Sequence, residues 1–154
     1  MAVRKGDKAP GFALAAKPGE VVDLNEVLGK EKVVLLFFPL AFSPVCTTEM
    51  CTMRDAWADW KKLDSKVYGI SVDSPFVTNK FREEESIPFP ILSDFNKDVS
   101  RTYDVLHEDL MGLKGVSKRS AFVIGDDGTV VYDWVSDDPK NQVPFDEIQA
   151  ALKS

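Results

Sequence analysis

Cys46 and Cys51 are the only two cysteines in this 154-residue chain, and they lie five residues apart. They follow Pro39-Leu40-Ala41-Phe42-Ser43-Pro44-Val45, a segment between a strongly apolar run and a stretch with helical spacing. Cys46 is therefore expected in the first turn of a helix. A helix N-terminus carries about half a positive charge and several free N–H donors. Both stabilise a thiolate, the nucleophilic form of cysteine. Attack of a thiolate on a peroxide oxygen moves negative charge from sulfur to the departing oxygen, so fixed donors aimed at that oxygen help. Ser43, three residues before Cys46, can bring its hydroxyl to the same small pocket, or can cap the helix. Pro39 and Pro44 stiffen the loop and present no N–H of their own.

The elements that would position these residues can be read from periodicity. Residues 33–38, Val-Val-Leu-Leu-Phe-Phe, are apolar on both faces, as in a central strand covered on two sides. Pro39 ends its ladder. Residues 45–63 are long enough for one helix of about five turns, with Met50, Met53, Trp57 and Trp60 at core spacing. Residues 67–72 read as a second buried strand. Asp73-Ser74-Pro75 is a helix start, and that helix should run to about Glu85. A short strand at 89–92 and a short helix at 96–103 follow. Asp126-Asp127-Gly128, between β-prone runs 121–124 and 130–134, signals an antiparallel hairpin. Residues 144–153 form a closing amphipathic helix. Alternating strands and helices followed by a hairpin predict an α/β fold, with a mixed central sheet and helices on both faces. A thioredoxin-like architecture is the natural candidate, with residues 1–154 as one domain.

Composition narrows the partners. With 19 basic and 25 acidic residues the formal net charge is −6. An acidic chain has no electrostatic reason to hold nucleic acid or an anionic membrane surface. No apolar run has signal-peptide or bilayer-spanning length, so a cytoplasmic address and free thiols are expected. Two cysteines and the lone His107 are too few for a closed zinc site, and no phosphate-binding glycine loop is present, so no metal or other cofactor is expected.

Pro39, Ser43 and Cys46 match the peroxiredoxin signature Pro-x-x-x-Thr/Ser-x-x-Cys. Gly115-Val116-Ser117-Lys118-Arg119-Ser120-Ala121-Phe122-Val123-Ile124 is similar to the family segment that carries an active-site arginine at a strand start. The opening Gly6-Asp7-Lys8-Ala9-Pro10 with Phe12, the segment Ile70-Ser71-Val72-Asp73-Ser74-Pro75-Phe76, and Leu92-Ser93-Asp94 extend the resemblance along nearly the whole chain. The resemblance implies a thiol-dependent peroxidase. Cys46 would be the peroxidatic cysteine, Ser43 the hydroxyl donor to peroxide, Pro39 a shield, and Arg119 the stabiliser of thiolate and leaving oxygen. Cys46-Thr47-Thr48-Glu49-Met50-Cys51 resembles the bacterioferritin-comigratory (PrxQ) type, in which the second cysteine resolves the sulfenic acid. The loop 39–43 and residues 70–76 look closer to the alkyl hydroperoxide reductase E type, in which no resolving cysteine is needed here. A hydroperoxide substrate, thioredoxin or another dithiol as reductant, and a monomer or homodimer follow from these resemblances.

Each residue also has an ordinary reading. Cys51 can be a packing residue. Lys118 and Arg119 form a basic pair, and alternation alone does not say which points inward. Glu49 and Arg54 share the cysteine helix and could orient the thiolate or Arg119, although charges at helical spacing are usually exposed. His107 is not needed by peroxide reduction. Phe37, Phe38 and Phe42 are core-like, and Phe42 could line the pocket beside Leu40 and suit an alkyl group. A thiol–disulfide oxidoreductase would carry Cys-x-x-Cys instead. A redox sensor or scaffold would use the same Cys46 chemistry without fast turnover.

Overall fold

The computed structural model describes residues 2–153. Its seven strands are β1 (Ala13–Lys17), β2 (Glu20–Asp23), β3 (Lys32–Phe37), β4 (Ser65–Ser71), β5 (Ile91–Ser93), β6 (Ser120–Ile124) and β7 (Val130–Val135). Its helices are α1 (Pro44–Asp55), α2 (Trp57–Lys61), α3 (Pro75–Glu84), α4 (Asp98–Thr102) and α5 (Phe145–Lys153). One mixed sheet runs in the order β2-β1-β5-β4-β3-β6-β7. β3 pairs with β4 in parallel and with β6 antiparallel, so it lies inside the sheet. The expected thioredoxin-like arrangement of mixed sheet and flanking helices is the one observed.

The apolar run in β3 explains why it sits there. Val34, Leu36 and Phe38 point to one face and Val33, Leu35 and Phe37 to the other, and all six are fully buried. The first face is covered by α1, α2, α3 and α5, through Met50, Met53, Trp60, Phe81, Ile148 and Leu152. The second is covered by α4 and the N-terminal segment, through Val99, Tyr103 and Leu24. Burying each such side chain stabilises the fold by about 1.5–3 kcal/mol. The central strand thus anchors the chain that leaves it toward α1.

Two expectations need correction. The single helix over 45–63 is broken: Ala56 leaves helical geometry (φ −101°, ψ 14°), separating α1 from α2. The hairpin of β1 and β2 was not foreseen; it turns at Pro18-Gly19, with Gly19 at φ 82°. The Asp-Gly hairpin does form, between β6 and β7, with Gly128 at φ 84°. No helix among the described residues is long and apolar enough to cross a membrane.

Candidate active site

The antiparallel pairing of β3 with β6 assembles the site. Phe37, the last residue of β3, stands opposite Ser120, the first of β6. The chain leaving β3 for α1 and the chain entering β6 therefore meet at one end of the sheet. Arg119, immediately before Ser120, turns inward and is 1% exposed. Its Nη2 donates to Cys46 Sγ at 3.0 Å, its Nη1 to Glu49 Oε1 at 2.7 Å, and its Nε to the Pro139 carbonyl at 3.1 Å. Lys118 turns the other way and pairs with Asp137 at 2.8 Å. The backbone entering β6 thus turns Arg119, and not Lys118, toward the sulfur.

Cys46 lies in the first turn of α1, two residues after the Pro44 that opens it, and is 1% exposed. Glu49 is three residues on, hence on the same helix face, and is fully buried. Both groups reach Arg119 because the fork geometry of a guanidinium can serve two acceptors at once. Burial pushes the Glu49 carboxyl up to about 7, with the Arg119 charge and hydrogen bond pulling it back. Its Oε2 has no hydrogen-bond partner. Burial opposes the charge of Arg119, yet Glu49 and Cys46 together hold the guanidinium above its ordinary value. A buried cation held 3.0 Å from the sulfur stabilises a thiolate.

Pro39 is buried two residues beyond the end of β3. Ser43 precedes α1 as its N-cap residue, but its side chain makes no cap bond, contrary to one reading of the sequence. The Ser43 hydroxyl donates back to the Leu40 carbonyl at 2.8 Å, and the Ser43 carbonyl accepts from the Thr47 N–H. The single hydroxyl proton of Ser43 is therefore engaged with Leu40. Phe42 is not core: it is 47% exposed at φ 67°, its ring packed edge-on against Phe81 at 5.1 Å.

Cys51 is half-buried on the same unbroken helix, and both cysteines are free thiols. Burial raises its pKa; Arg54 pulls it down, while Glu85 and Asp55 push it further up. Arg54 orients neither Cys46 nor Arg119. It bonds the Glu85 carbonyl at 2.7 Å and Asp55 at 3.0 Å, tying the end of α1 to the end of α3. His107 is buried and its Nε2 has no partner. The sequence reading missed Gln142, whose Nε2 donates to the Val45 carbonyl at 3.1 Å from 97 residues away, and the Pro139 carbonyl that braces Arg119. Neither carries a local signal. No cluster among the described residues could hold a metal ion.

Residues 5–133 match the AhpC/TSA family. The chain belongs to this family. It is similar to peroxiredoxin Bcp of Escherichia coli K12, with 35% identity over 154 residues, covering 98% of this chain and 96% of the relative. It is 36% identical to a putative peroxiredoxin of Coxiella burnetii (87% and 89% covered). Among solved structures, peroxidoxin BcpB of Mycobacterium tuberculosis superposes with a TM-score of 0.86 at 30% identity (98% and 97% covered). These relatives support the Bcp (PrxQ) side of the resemblance, and the AhpC/TSA chemistry is that of a thiol-dependent peroxidase acting on a peroxide with a thiol reductant.

Proposed function

We propose that Cys46 is the peroxidatic nucleophile and that Arg119 is the group that activates it. The single observation carrying this is the 3.0 Å contact between Arg119 Nη2 and Cys46 Sγ, inside a site where both are 1% exposed. The Cys46 thiolate attacks one oxygen of the hydroperoxide. The O–O bond breaks, and the departing alkoxide or hydroxide takes a proton, aided by donors from Arg119 and from Ser43 once its hydroxyl has turned from Leu40. Cys46 becomes a sulfenic acid. Pro39 shields the pocket, and Glu49 fixes the guanidinium.

Cys51 then resolves: its thiolate attacks the sulfenic sulfur, an S–S bond forms, and the hydroxyl leaves as water. On an intact helix the two Cα atoms are about 8.7 Å apart, while a disulfide needs less than about 7 Å. The first turns of α1 must therefore unwind. Oxidation favours this, because a neutral sulfenic acid holds Arg119 less firmly than a thiolate does. A dithiol of the thioredoxin kind then exchanges with the disulfide and is itself oxidised. Hydrogen peroxide and organic hydroperoxides are both suitable substrates, in a cytoplasmic protein that needs neither metal nor nucleic acid. The one continuous sheet supports residues 1–154 as a single domain, acting as monomer or homodimer.

Intact-mass analysis after one equivalent of hydrogen peroxide tests the cycle. The wild type should lose two hydrogens, Cys51→Ser should gain one oxygen, and Cys46→Ser should not react. A sulfenic acid in both wild type and Cys51→Ser would make this a one-cysteine peroxidase with Cys51 in a packing role.

A further inference from the structure

Cys46 is 1% exposed, and Ala41 in the loop 39–43 that leads into its helix packs against the same core, so the shape of that loop bears on how a peroxide meets the sulfur. This loop holds Phe42 in the left-handed region at φ 67°. A bulky side chain there costs on the order of 1–3 kcal/mol and persists only when its surroundings over-determine it. Three contacts do so. The Phe42 ring packs on Phe81, the Ser43 hydroxyl bonds the Leu40 carbonyl, and the Ala41 N–H donates to Asp73 Oδ2 at 2.7 Å. The third holds the loop's backbone and comes from Asp73, 32 residues on and two past the end of β4.

Asp73 is itself pinned. The same Oδ2 accepts the Ser71 hydroxyl at 2.7 Å, and the Ser93 hydroxyl donates to the Asp73 carbonyl. Ser71 is fully buried and Ser93 nearly so. The next residue, Ser74, caps α3 by accepting from the Val77 N–H. Asp73 is thus held through its carboxylate by Ser71 and through its main-chain carbonyl by Ser93, just before a helix start, and its carboxylate extends to the middle of the loop 39–43. A hydrogen bond from a backbone N–H to a carboxylate is about twice as strong as one between neutral groups.

We propose that Asp73 is a positioning residue for peroxide reduction: by clamping the Ala41 N–H it fixes the loop that sets the approach of peroxide to Cys46. It acts through the loop, because its hydrogen bonds are with Ala41, Ser71 and Ser93, not with the sulfur, Arg119 or Glu49. The proposal rests on Cys46 being the peroxidatic residue. Asparagine keeps an oxygen acceptor at this position, whereas alanine removes it.

The test compares wild type, Asp73→Asn and Asp73→Ala in single-turnover stopped flow with hydrogen peroxide. Alkylation by iodoacetamide runs in parallel, in a Cys51→Ser background so that only Cys46 reports. Loss of a positioning contact should lower the peroxide rate constant of Asp73→Ala by roughly tenfold to hundredfold. Asp73→Asn should remain within about threefold of wild type, and alkylation should not slow, since loosening the loop leaves the thiolate in place and no less accessible. Ala41→Pro deletes the donor and leaves Asp73 intact. It should slow peroxide reaction as Asp73→Ala does, and it decides the matter if Asp73→Ala does not fold. The proposal is overturned if folded Asp73→Ala keeps a peroxide rate within threefold of wild type, or if alkylation slows as much as peroxide reduction. A Cys46→Ser protein that still consumed peroxide would sink the functional reading instead, which separates the two failures.

Discussion

Replacing Glu49 by glutamine tests the electrostatics of the buried triad. The carboxyl is 0% exposed, bonded to Arg119 through Oε1, with Oε2 unpartnered. Unfolded, it titrates near 4.5; folded, burial carries it to about 7. Between those pH values the folded state binds more protons than the unfolded state. This carboxyl therefore lowers stability as pH rises through that window, which is opposite to a carboxylate whose pKa is depressed. At about 1.4 kcal/mol per pH unit the loss totals about 3 kcal/mol. Glutamine keeps the acceptor to Arg119 but never ionises. Glu49→Gln should match wild type near pH 4.5 and be more stable by about 3 kcal/mol above pH 7.5, with a melting temperature roughly 6–12 °C higher. The assay is urea or thermal unfolding of the reduced proteins from pH 4.5 to 8.5, repeated in a Cys46→Ser background so that the sulfur plays no part. Other groups, such as His107, contribute equally to both curves and cancel in the difference. A wild-type protein as stable as Glu49→Gln at pH 8, or more so, would refute the reasoning: the attraction to Arg119 would then outweigh the burial.

Arg119→Ala removes the donor to Sγ and leaves Glu49 without its cation. The second-order rate with hydrogen peroxide, measured by competition against a reference peroxidase, should fall by about 10²–10³, and stability above pH 7 should fall by about 3–5 kcal/mol. Arg119→Lys should recover little of the rate, since an ammonium cannot serve Cys46, Glu49 and Pro139 in the same planar fork. Arg54→Ala takes away the charge that pulls the Cys51 thiol down, so disulfide formation after the sulfenic acid should slow several-fold at pH 7 and recover toward wild type as pH rises. Quenched-flow mass analysis reads that step directly, and an Arg54→Ala rate equal to wild type at pH 7 would remove Arg54 from the resolving step.

Much of this was legible where local chemistry decides the outcome. A run apolar on both faces read as an inner strand, and the helical spacing that begins just after it put Cys46 in a first turn. The Asp-Gly turn fixed the last hairpin. The rest depended on contacts distant in sequence. Nothing near Ala56 marks a helix break, since alanine is the strongest helix former. The hairpin of β1 and β2 lacks β-branched alternation in Ala13–Lys17, and Pro18-Gly19 was its one usable signal. Glu49 reads as a surface charge until Arg119, 70 residues away, is seen to bury beside it. Gln142 reaches Val45, and Asp73 reaches Ala41, across gaps that no window of sequence spans.

The interruption at Ala56 also insulates the molecule. Melting that starts at Cys46 need travel no further than the last turn of α1, because the next helical segment has its own hydrogen bonds and its own anchor, Trp60, in the core. Trp57 stays stacked on Phe89 at 5.5 Å, immediately beyond the boundary. If α1 unwinds as proposed, Trp57 and Trp60 would lie immediately beyond the segment that changes. Their fluorescence should flicker with the redox state of the sulfur, while amide exchange quickens over residues 44–55 and stays slow at Trp60.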